Sequence, residues 1–245
     1  MGARALLPLR LIYAVYAATT FLAVALLALA PLAVLPTLAG RRRLIRWAGR
    51  ASLTLMGMPI RVRWREPLPD PCIVVANHCS YLDGVVLAAV LPPRFDFVIK
   101  REMASVPVAG FLLRRIGVQF VTRGNRSGGS RDALRVIRSA ARGGSLAFFP
   151  EGTFHTRPGL LRFHTGAFAA AERAGAALVP LAILGTRRRF APGSLLPRPG
   201  LISVVSLEPL WATRGPPARA AALRDAARAA ILAATGEVDA MGANA

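Results

Sequence analysis

An uncharged stretch of 30 residues, from Leu11 to Gly40, constrains this chain more than any other feature. About 20 apolar residues in a helix are enough to cross a bilayer. Pro31 and Pro36 predict that a helix beginning near Leu11 ends or bends after Ala30. Basic residues precede and follow the stretch: Arg4, Arg10, Arg41, Arg42, Arg43, Arg46 and Arg50. Because most of them follow it, we expect a membrane anchor with the rest of the chain on the cytoplasmic side.

Two other interpretations of this stretch remain open, a cleaved signal peptide and a buried helix of a soluble protein. Ala28-Leu29-Ala30 resembles a signal-peptide cleavage site, although the apolar stretch is longer than a typical signal peptide core. The anchor either spans the bilayer or turns back within it as a hairpin. Residues 44–58 have apolar side chains at helical spacing with arginines between them, which predicts a second helix in the membrane interface.

The charge of the chain favours an anionic surface or an acidic partner. The net charge is +20, and 31 arginines stand beside the single lysine, Lys100. The arginines are scattered and no zinc-finger or basic-zipper spacing is present, so the apolar stretch favours lipid over nucleic acid. Cys72 and Cys79 lie close together on either side of a predicted strand, and we expect both to be reduced thiols.

Strand and helix patterns alternate after the anchor. Apolar runs and alternation predict strands at 60–64, 72–76, 95–99, 118–121, 145–149, 177–184 and 201–207. Helical patterns occupy 80–91, 131–142, 166–173 and 217–234, with a glycine-rich loop at 124–130. This order predicts an α/β fold in which helices flank a mixed sheet. We therefore divide the chain into a membrane-anchoring helical region, 1–58, and a second domain, 59–245, that carries the chemistry.

The segment from Asn77 to Asp83 places a histidine and a carboxylate where a buried strand meets a helix. A histidine at a helix N-terminus is favoured as neutral imidazole, which can accept a proton from a hydroxyl. Asp83 can bind the other ring nitrogen of His78 and stabilise the imidazolium. Other roles are open at this point. Ser80 and Asp83 form a capping-box pattern, His78 can be structural, and Cys79 or Ser80 could act as a nucleophile, although no nucleophile elbow is present.

Three further blocks lie downstream. With the segment from Asn77 to Asp83 counted as the first block, the second runs from Gly117 to Arg123 and ends a strand on an arginine. The third, Phe149-Pro150-Glu151-Gly152-Thr153, places a carboxylate after another strand, and the fourth is Val179-Pro180-Leu181-Ala182-Ile183. With Asn77-His78 and Asp83, these blocks and their order resemble the lysophosphatidic acid acyltransferase family of the glycerolipid acyltransferases. The resemblance covers about residues 74–183.

The resemblance implies a role for each matching residue. His78 would be the general base and Asp83 its orienting partner. The acceptor-binding residues would be Asn77, Gly117, Arg123, Glu151, Gly152 and Thr153. A guanidinium can bind a phosphate in a bidentate manner, and backbone amides in a Gly-Thr turn can bind an anion.

The implied activity is transfer of a fatty acyl group from acyl-CoA or acyl-ACP to a lysophospholipid hydroxyl. The expected acceptor is 1-acyl-sn-glycerol-3-phosphate, which would give phosphatidic acid. The resemblance implies no bound cofactor or metal, and His155 and His164 show no metal-ligand spacing with His78. We expect as partners the anionic bilayer, the lysolipid and acyl-CoA or acyl carrier protein, with the catalytic domain on the cytoplasmic face of the inner membrane.

One position departs from the family pattern. Many relatives that acylate lysophosphatidic acid have an arginine after Phe-Pro-Glu-Gly-Thr, whereas this chain has Phe154, with Arg157 three residues later. Another acceptor, lyso-ornithine lipid or lysophosphatidylethanolamine, therefore stays open. A non-catalytic lipid-binding protein is the alternative from another functional class.

Overall fold

A computed structural model describes residues 7–122, 126–211 and 217–241. The helices are α1 (Leu7–Val34), α2 (Leu38–Leu55), α3 (Leu82–Val90), α4 (Ala109–Arg115), α5 (Arg126–Ala141), α6 (Gly166–Ala174), α7 (Thr186–Arg189) and α8 (Pro217–Thr235), and a 3-10 helix spans Arg101–Ser105. The strands are β1 (Ile60–Arg63), β2 (Cys72–Ala76), β3 (Phe95–Lys100), β4 (Gln119–Val121), β5 (Ser145–Phe148), β6 (Ala177–Leu184), β7 (Ile202–Ser206) and β8 (Leu210–Trp211).

The strands form one mixed sheet in the order β1-β7-β6-β2-β5-β3-β4, and β8 pairs with β6. β6 is antiparallel to β7 and β8, and the other neighbouring strands are parallel. All five residues of β2 are buried, as expected of an apolar strand in the centre of a covered sheet. The predicted α/β fold with a mixed sheet and flanking helices is confirmed.

Alternation along each strand divides the core between the two faces of the sheet. Val74 and Ala76 of β2 face the core beneath α1, α2 and α3, which we call the proximal layer. Ile73 and Val75 face the core beneath α5, α6 and α8, the distal layer. The two layers therefore cover opposite faces of one sheet.

α1 and α2 form an antiparallel hairpin that packs on the sheet. The Tyr13 hydroxyl donates to the Met56 carbonyl at 2.6 Å, and that of Tyr16 donates to the Leu55 carbonyl at 2.8 Å. Arg42 of α2 is nearly buried, forms an ion pair with Asp96 of β3, and donates to the Ile116 carbonyl at 2.9 Å. Because a buried guanidinium needs partners of this kind, Arg42 connects the hairpin firmly to the sheet.

The structure changes several predicted boundaries. α1 continues three residues past Pro31, so this proline does not end the helix. α5 begins at Arg126, which makes the predicted loop at 124–130 wrong over most of its length. The helix α4 and the 3-10 turn before it were not predicted, because their sequence shows no helical period. The division at residue 58 stays a prediction.

Candidate active site

The candidate site lies at the carboxyl ends of β2 and β5, which are adjacent parallel strands. The chain leaves β2 through Asn77 and His78 and enters α3 at Leu82. It leaves β5 through the turn of Phe149 to Thr153. Because neighbouring parallel strands end at the same edge of a sheet, the first and third sequence blocks meet here.

Asp83 holds the His78 ring in one orientation. Nδ1 of His78 lies 3.0 Å from Oδ2 of Asp83, whose side chain has no exposed surface. Since an ionised carboxylate can only accept, Nδ1 donates in this contact and Nε2 is left as the ring's proton acceptor. The same Oδ2 accepts from the amides of Cys79 at 2.6 Å and Ser80 at 2.7 Å. Asp83 therefore satisfies helix N-terminal amides and orients His78 at once, so the two interpretations from sequence are compatible.

Asn77 connects β2 to the end of β6. Its Nδ2 donates to the Ile183 carbonyl at 2.9 Å, and its Oδ1 accepts from the Ile183 amide at 2.7 Å. The side chain is buried, and both of its polar atoms are used. This placement joins the first block to the Val-Pro strand and fixes the direction in which the chain enters His78.

Glu151 connects three segments from a buried position. Its Oε1 accepts from the His78 amide at 2.6 Å, and its Oε2 accepts from the Leu161 amide at 2.8 Å. Burial raises the pKa of Glu151 to about 8; the charge of Asp83 adds to this, while the two amide hydrogen bonds and Arg187 oppose it. With both oxygens bound to backbone amides, Glu151 supports the backbone of His78.

Aromatic rings surround His78 on two sides. The imidazole stacks on Phe149, with ring centroids 4.2 Å apart, and meets the edge of Phe154 at 4.4 Å. Phe154 also contacts Tyr81, with centroids 5.0 Å apart. Phe154, which directly follows the Phe-Pro-Glu-Gly-Thr block, therefore forms a wall of the site.

An apolar cavity of about 620 Å³ reaches His78. Its walls come from α1, α2, α3, α4 and β3 on one side and from the turn after β5 on the other. Gly152 and Thr153, both predicted site residues, lie in the lining with Phe154. Among the described lining residues, Lys100 is the one lysine, and none is an arginine. The lining is mostly apolar, as expected of a cavity that holds an alkyl chain.

The two alternative nucleophiles are occupied. Burial raises the pKa of Cys79 to about 12, and its Sγ lies 3.4 Å from the Thr186 hydroxyl. Ser80 Oγ is buried, donates to the Phe190 carbonyl at 2.6 Å and accepts from the Leu82 amide. A thiol with a raised pKa is rarely the thiolate that attack requires, and this serine hydroxyl is engaged by two backbone groups. These contacts favour His78 as the reactive group.

One predicted site residue, Gly117, is not brought to His78. Gly117 precedes β4, three strands from β2 and at the opposite end of the parallel strands, and its φ of +70° requires glycine in a turn. Arg123 lies outside the described residues.

Sequence reasoning missed a contribution from the C-terminal segment. Arg228 of α8 donates to the carbonyls of Leu160 at 2.6 Å and Leu161 at 2.9 Å, and pairs with Asp239. The Leu160 amide donates to the Val238 carbonyl at 2.8 Å. These contacts hold the backbone whose Leu161 amide binds Glu151. Arg228 is one of three arginines in α8, so the sequence gave no signal of this role.

The site therefore consists of an oriented histidine at the carboxyl edge of an α/β sheet, beside an apolar cavity. A family model described as "Acyltransferase" matches residues 59–184, and the chain belongs to this family. The sequence is 36% identical over 158 residues to lyso-ornithine lipid O-acyltransferase of Pseudomonas aeruginosa, covering 64% of this chain and 59% of that protein. It is 31% identical over 144 residues to 1-acyl-sn-glycerol-3-phosphate acyltransferase of Neisseria gonorrhoeae, covering 58% and 56%.

The fold is similar to a solved structure. The crystal structure of the 1-acyl-sn-glycerophosphate acyltransferase from Thermotoga maritima superposes with a TM-score of 0.71, covering 92% of this chain and 93% of that one, at 20% identity. The chain spans somewhat more than half the length of the curated relatives named above. One helix, α1, is long and apolar enough to cross a membrane, as far as the described residues show.

Proposed function

We propose that this protein transfers a fatty acyl group from an acyl thioester to the free hydroxyl of a lysolipid at a membrane surface. The observation that carries the proposal is the His78 ring, held by Asp83 through Nδ1, with the apolar cavity beside it. A base and a place for an alkyl chain meet at one point. Membership of the acyltransferase family supports the same reaction class.

In the proposed mechanism, Nε2 of His78 removes the proton from the acceptor hydroxyl as its oxygen attacks the thioester carbonyl carbon. Asp83 stabilises the imidazolium that forms. The carbon–sulfur bond then breaks, and the departing thiolate takes the proton from His78. The new ester and the free thiol leave. The occupied positions of Cys79 and Ser80 support direct transfer without an acyl-enzyme.

The donor is proposed to be acyl-CoA or acyl carrier protein. Both present a thioester at the end of a long flexible arm, and both carry negative charge. The net charge of +20 favours association with either one.

The first proposed acceptor is 1-acyl-sn-glycerol-3-phosphate, which would give phosphatidic acid. Lys100 in the cavity lining supports an anionic headgroup. Phe154 favours a second acceptor, lyso-ornithine lipid. An aromatic ring beside His78 can bind a headgroup ammonium by a cation–π contact, whereas an arginine at this position would bind a phosphate. The Pseudomonas relative is named for this acceptor.

The protein is proposed to work at the cytoplasmic face of the inner membrane. The apolar α1 supports a membrane location, and the five arginines that closely follow the uncharged stretch support the cytoplasmic orientation.

An acceptor panel tests the proposal. The purified full-length chain is mixed with vesicles that contain one lysolipid at a time, and thiol release from acyl-CoA or acyl carrier protein is followed. We expect release with 1-acyl-sn-glycerol-3-phosphate or lyso-ornithine lipid, together with the matching two-chain product. No acceptor-dependent release with any lysolipid would contradict the proposal.

A further inference from the structure

We propose that the chain has a second membrane-contacting surface, formed by Met103, Val106, Val108 and Phe111, beside α1. We call it the 103–111 surface. Its occupant is the lipid bilayer that receives α1. Neither the family match nor the sequence patterns assign a role to these four side chains.

The segment that carries this surface is apolar on the side away from the protein. Between Met103 and Leu113 there is no charged residue. The exposed fractions are 38% for Met103, 42% for Val106, 53% for Val108 and 43% for Phe111. The hydroxyl of Ser105 donates to the Glu102 carbonyl at 2.8 Å, so its donor is satisfied within the segment. A contiguous exposed apolar patch of this kind marks a surface that another phase or molecule covers.

The 103–111 surface is attached to the end of α1. Arg115, the last residue of α4, donates to the carbonyls of Leu32 at 2.9 Å and Ala33 at 2.6 Å. These carbonyls belong to the last turn of α1, where a cation is favoured. Val34, one residue further, is 79% exposed. The apolar surface of α1 therefore continues into that of α4, and a bilayer around α1 reaches both.

The segment is also apolar on its inner side. Leu112 and Leu113 line the cavity, and Met103 lines it while presenting the rest of its side chain outward. Phe21 of α1 also lines the cavity and is 42% exposed. A helix between a core and water has one apolar face, whereas a wall between a cavity and lipid is apolar on both. The two-sided apolar character of this segment fits the second case.

Basic residues flank the apolar segment at both ends, with Lys100 and Arg101 before it and Arg114 and Arg115 after it. Apolar side chains between arginines are the pattern of segments that lie in the interface of an anionic membrane. Glu102 is the one acidic residue in this stretch. The flanking charges place the segment at headgroup level with its apolar side chains directed into the acyl chains.

This placement deepens the proposed function, on which its consequence rests. The cavity would open sideways to the bilayer between Phe21 and Met103, so an acyl chain could enter the cavity from lipid without crossing water. The contact with lipid itself does not depend on any enzymatic activity.

Fluorescence quenching by brominated lipids tests the contact in the full-length protein. One cysteine is introduced per variant, as Val106→Cys or Phe111→Cys, and labelled with a thiol-reactive fluorophore. The native Cys72 and Cys79 are buried, and burial raises their pKa to about 11 and about 12, so they react little under mild conditions. Vesicles of phosphatidylethanolamine and phosphatidylglycerol carry either ordinary or brominated acyl chains.

Two further labelled variants calibrate the measurement. Leu27→Cys lies on the exposed side of α1, and Leu134→Cys on the exposed side of α5 in the distal layer. We expect brominated lipid to quench the labels at 106 and 111 about as much as the label at 27, and to leave the label at 134 unchanged. Labels at 106 and 111 that behave like the label at 134 would overturn the proposal. A spectral shift without quenching would also overturn it, since a protein such as a second copy of the chain would then cover the surface.

Kinetic measurements test the proposed lateral opening of the cavity to the bilayer. Introducing Val106→Glu and Phe111→Glu together should raise the KM for a vesicle-bound lysolipid several-fold and leave kcat unchanged, whereas Leu134→Glu should change neither. If the unaltered protein transfers no acyl group at all, the proposed function fails and the quenching result still decides the membrane contact. An unchanged KM beside normal quenching would remove the lateral opening alone.

Discussion

The two layers that cover the sheet differ in what their outer sides present. Helices of the distal layer direct apolar residues such as Val136, Phe168 and Ile231 inward, and α5 and α8 carry many arginines. In the proximal layer, α1 has apolar residues all round, and only 17% of its most apolar window is buried. A helix that is apolar on every side needs an apolar solvent on its outer side. We therefore propose that the sheet separates a water-facing layer from a lipid-facing layer.

The site belongs to the lipid-facing side. His78 lies at the carboxyl edge of β2, and the cavity beside it is walled by helices of the proximal layer and by α4. The distal layer contributes indirectly, because Arg228 of α8 holds the backbone that binds Glu151. Lipid access and site rigidity are thus supplied by different layers.

The largest expected effect comes from a substitution in the site itself, which should lower acyl transfer and leave vesicle binding unchanged. Asp83→Asn removes the acceptor that orients His78 and places an amide group against the Cys79 and Ser80 amides. We expect acyl transfer to fall by about 10²–10⁴-fold, the range seen when general-base orientation is lost. Steady-state rates of thiol release measure it. Vesicle binding by this variant should equal that of the unaltered chain, and a rate within a few-fold of normal would contradict the assigned role of Asp83.

A matched pair of charge substitutions tests the difference between the layers directly. Leu27 is 77% exposed on α1 and Leu134 is exposed on α5. A charge inside a bilayer costs up to about 3 kcal/mol, so Leu27→Glu should weaken vesicle binding by about 10- to 10²-fold. Leu134→Glu should leave the binding unchanged. Cosedimentation with vesicles measures both, and equal effects of the two substitutions would remove the distinction between the layers.

The pH dependence of stability tests the raised pKa of the buried Glu151 side chain. Burial raises the pKa of Glu151 to about 8, so between its ordinary value and pH 8 the folded chain binds more protons here than the unfolded chain. Glu151 therefore stabilises the fold most at low pH, and this contribution is lost as the pH rises through about 8. Relative to Glu151→Gln, the unfolding free energy should fall by about 4 kcal/mol between pH 5 and pH 9, because each pKa unit corresponds to about 1.4 kcal/mol. Thermal unfolding in detergent measures the difference, and parallel pH profiles would disprove the buried ionisation.

A smaller effect is expected from the distal layer. Arg228→Ala removes the guanidinium that donates to the Leu160 and Leu161 carbonyls and to Asp239, which should lower the unfolding free energy by about 2 kcal/mol. Arg224→Ala removes an arginine of the same helix that pairs with the neighbouring Asp225, and should cost under about 1 kcal/mol. Denaturant unfolding compares the two. Equal losses would mean that the C-terminal contacts do not hold this backbone.

Sequence patterns predicted the parts of the fold whose determinants are local. The five apolar residues of β2 and the eight of β6 gave both strands their observed bounds. The predicted start of α5 was wrong because the glycines at 128 and 129 argue for a loop, whereas the helix begins at Arg126. The segment 101–115 lacks a helical period since it has apolar residues on both sides, so its structure depends on tertiary contacts.

The candidate site was predictable as a set of residues and less so as a set of roles. The spacing of His78 and Asp83 was sufficient to predict their contact, since a helix start brings such residues together. The contacts of Asn77 with Ile183 and of Glu151 with Leu161 join segments distant in sequence. No local pattern encodes these pairings. The resemblance implied acceptor binding for both residues, and the structure shows both bonded to backbone groups.

The central claim is that His78 removes the acceptor's proton at the lipid-facing edge of the sheet. The most direct test compares acyl transfer by His78→Ala and His155→Ala in vesicles that contain the preferred lysolipid. His155 is exposed and is absent from the cavity lining, which makes it a matched control. The account predicts that His78→Ala loses transfer while keeping its fold and vesicle binding, and that His155→Ala keeps all three. Sustained turnover by folded, membrane-bound His78→Ala would contradict it.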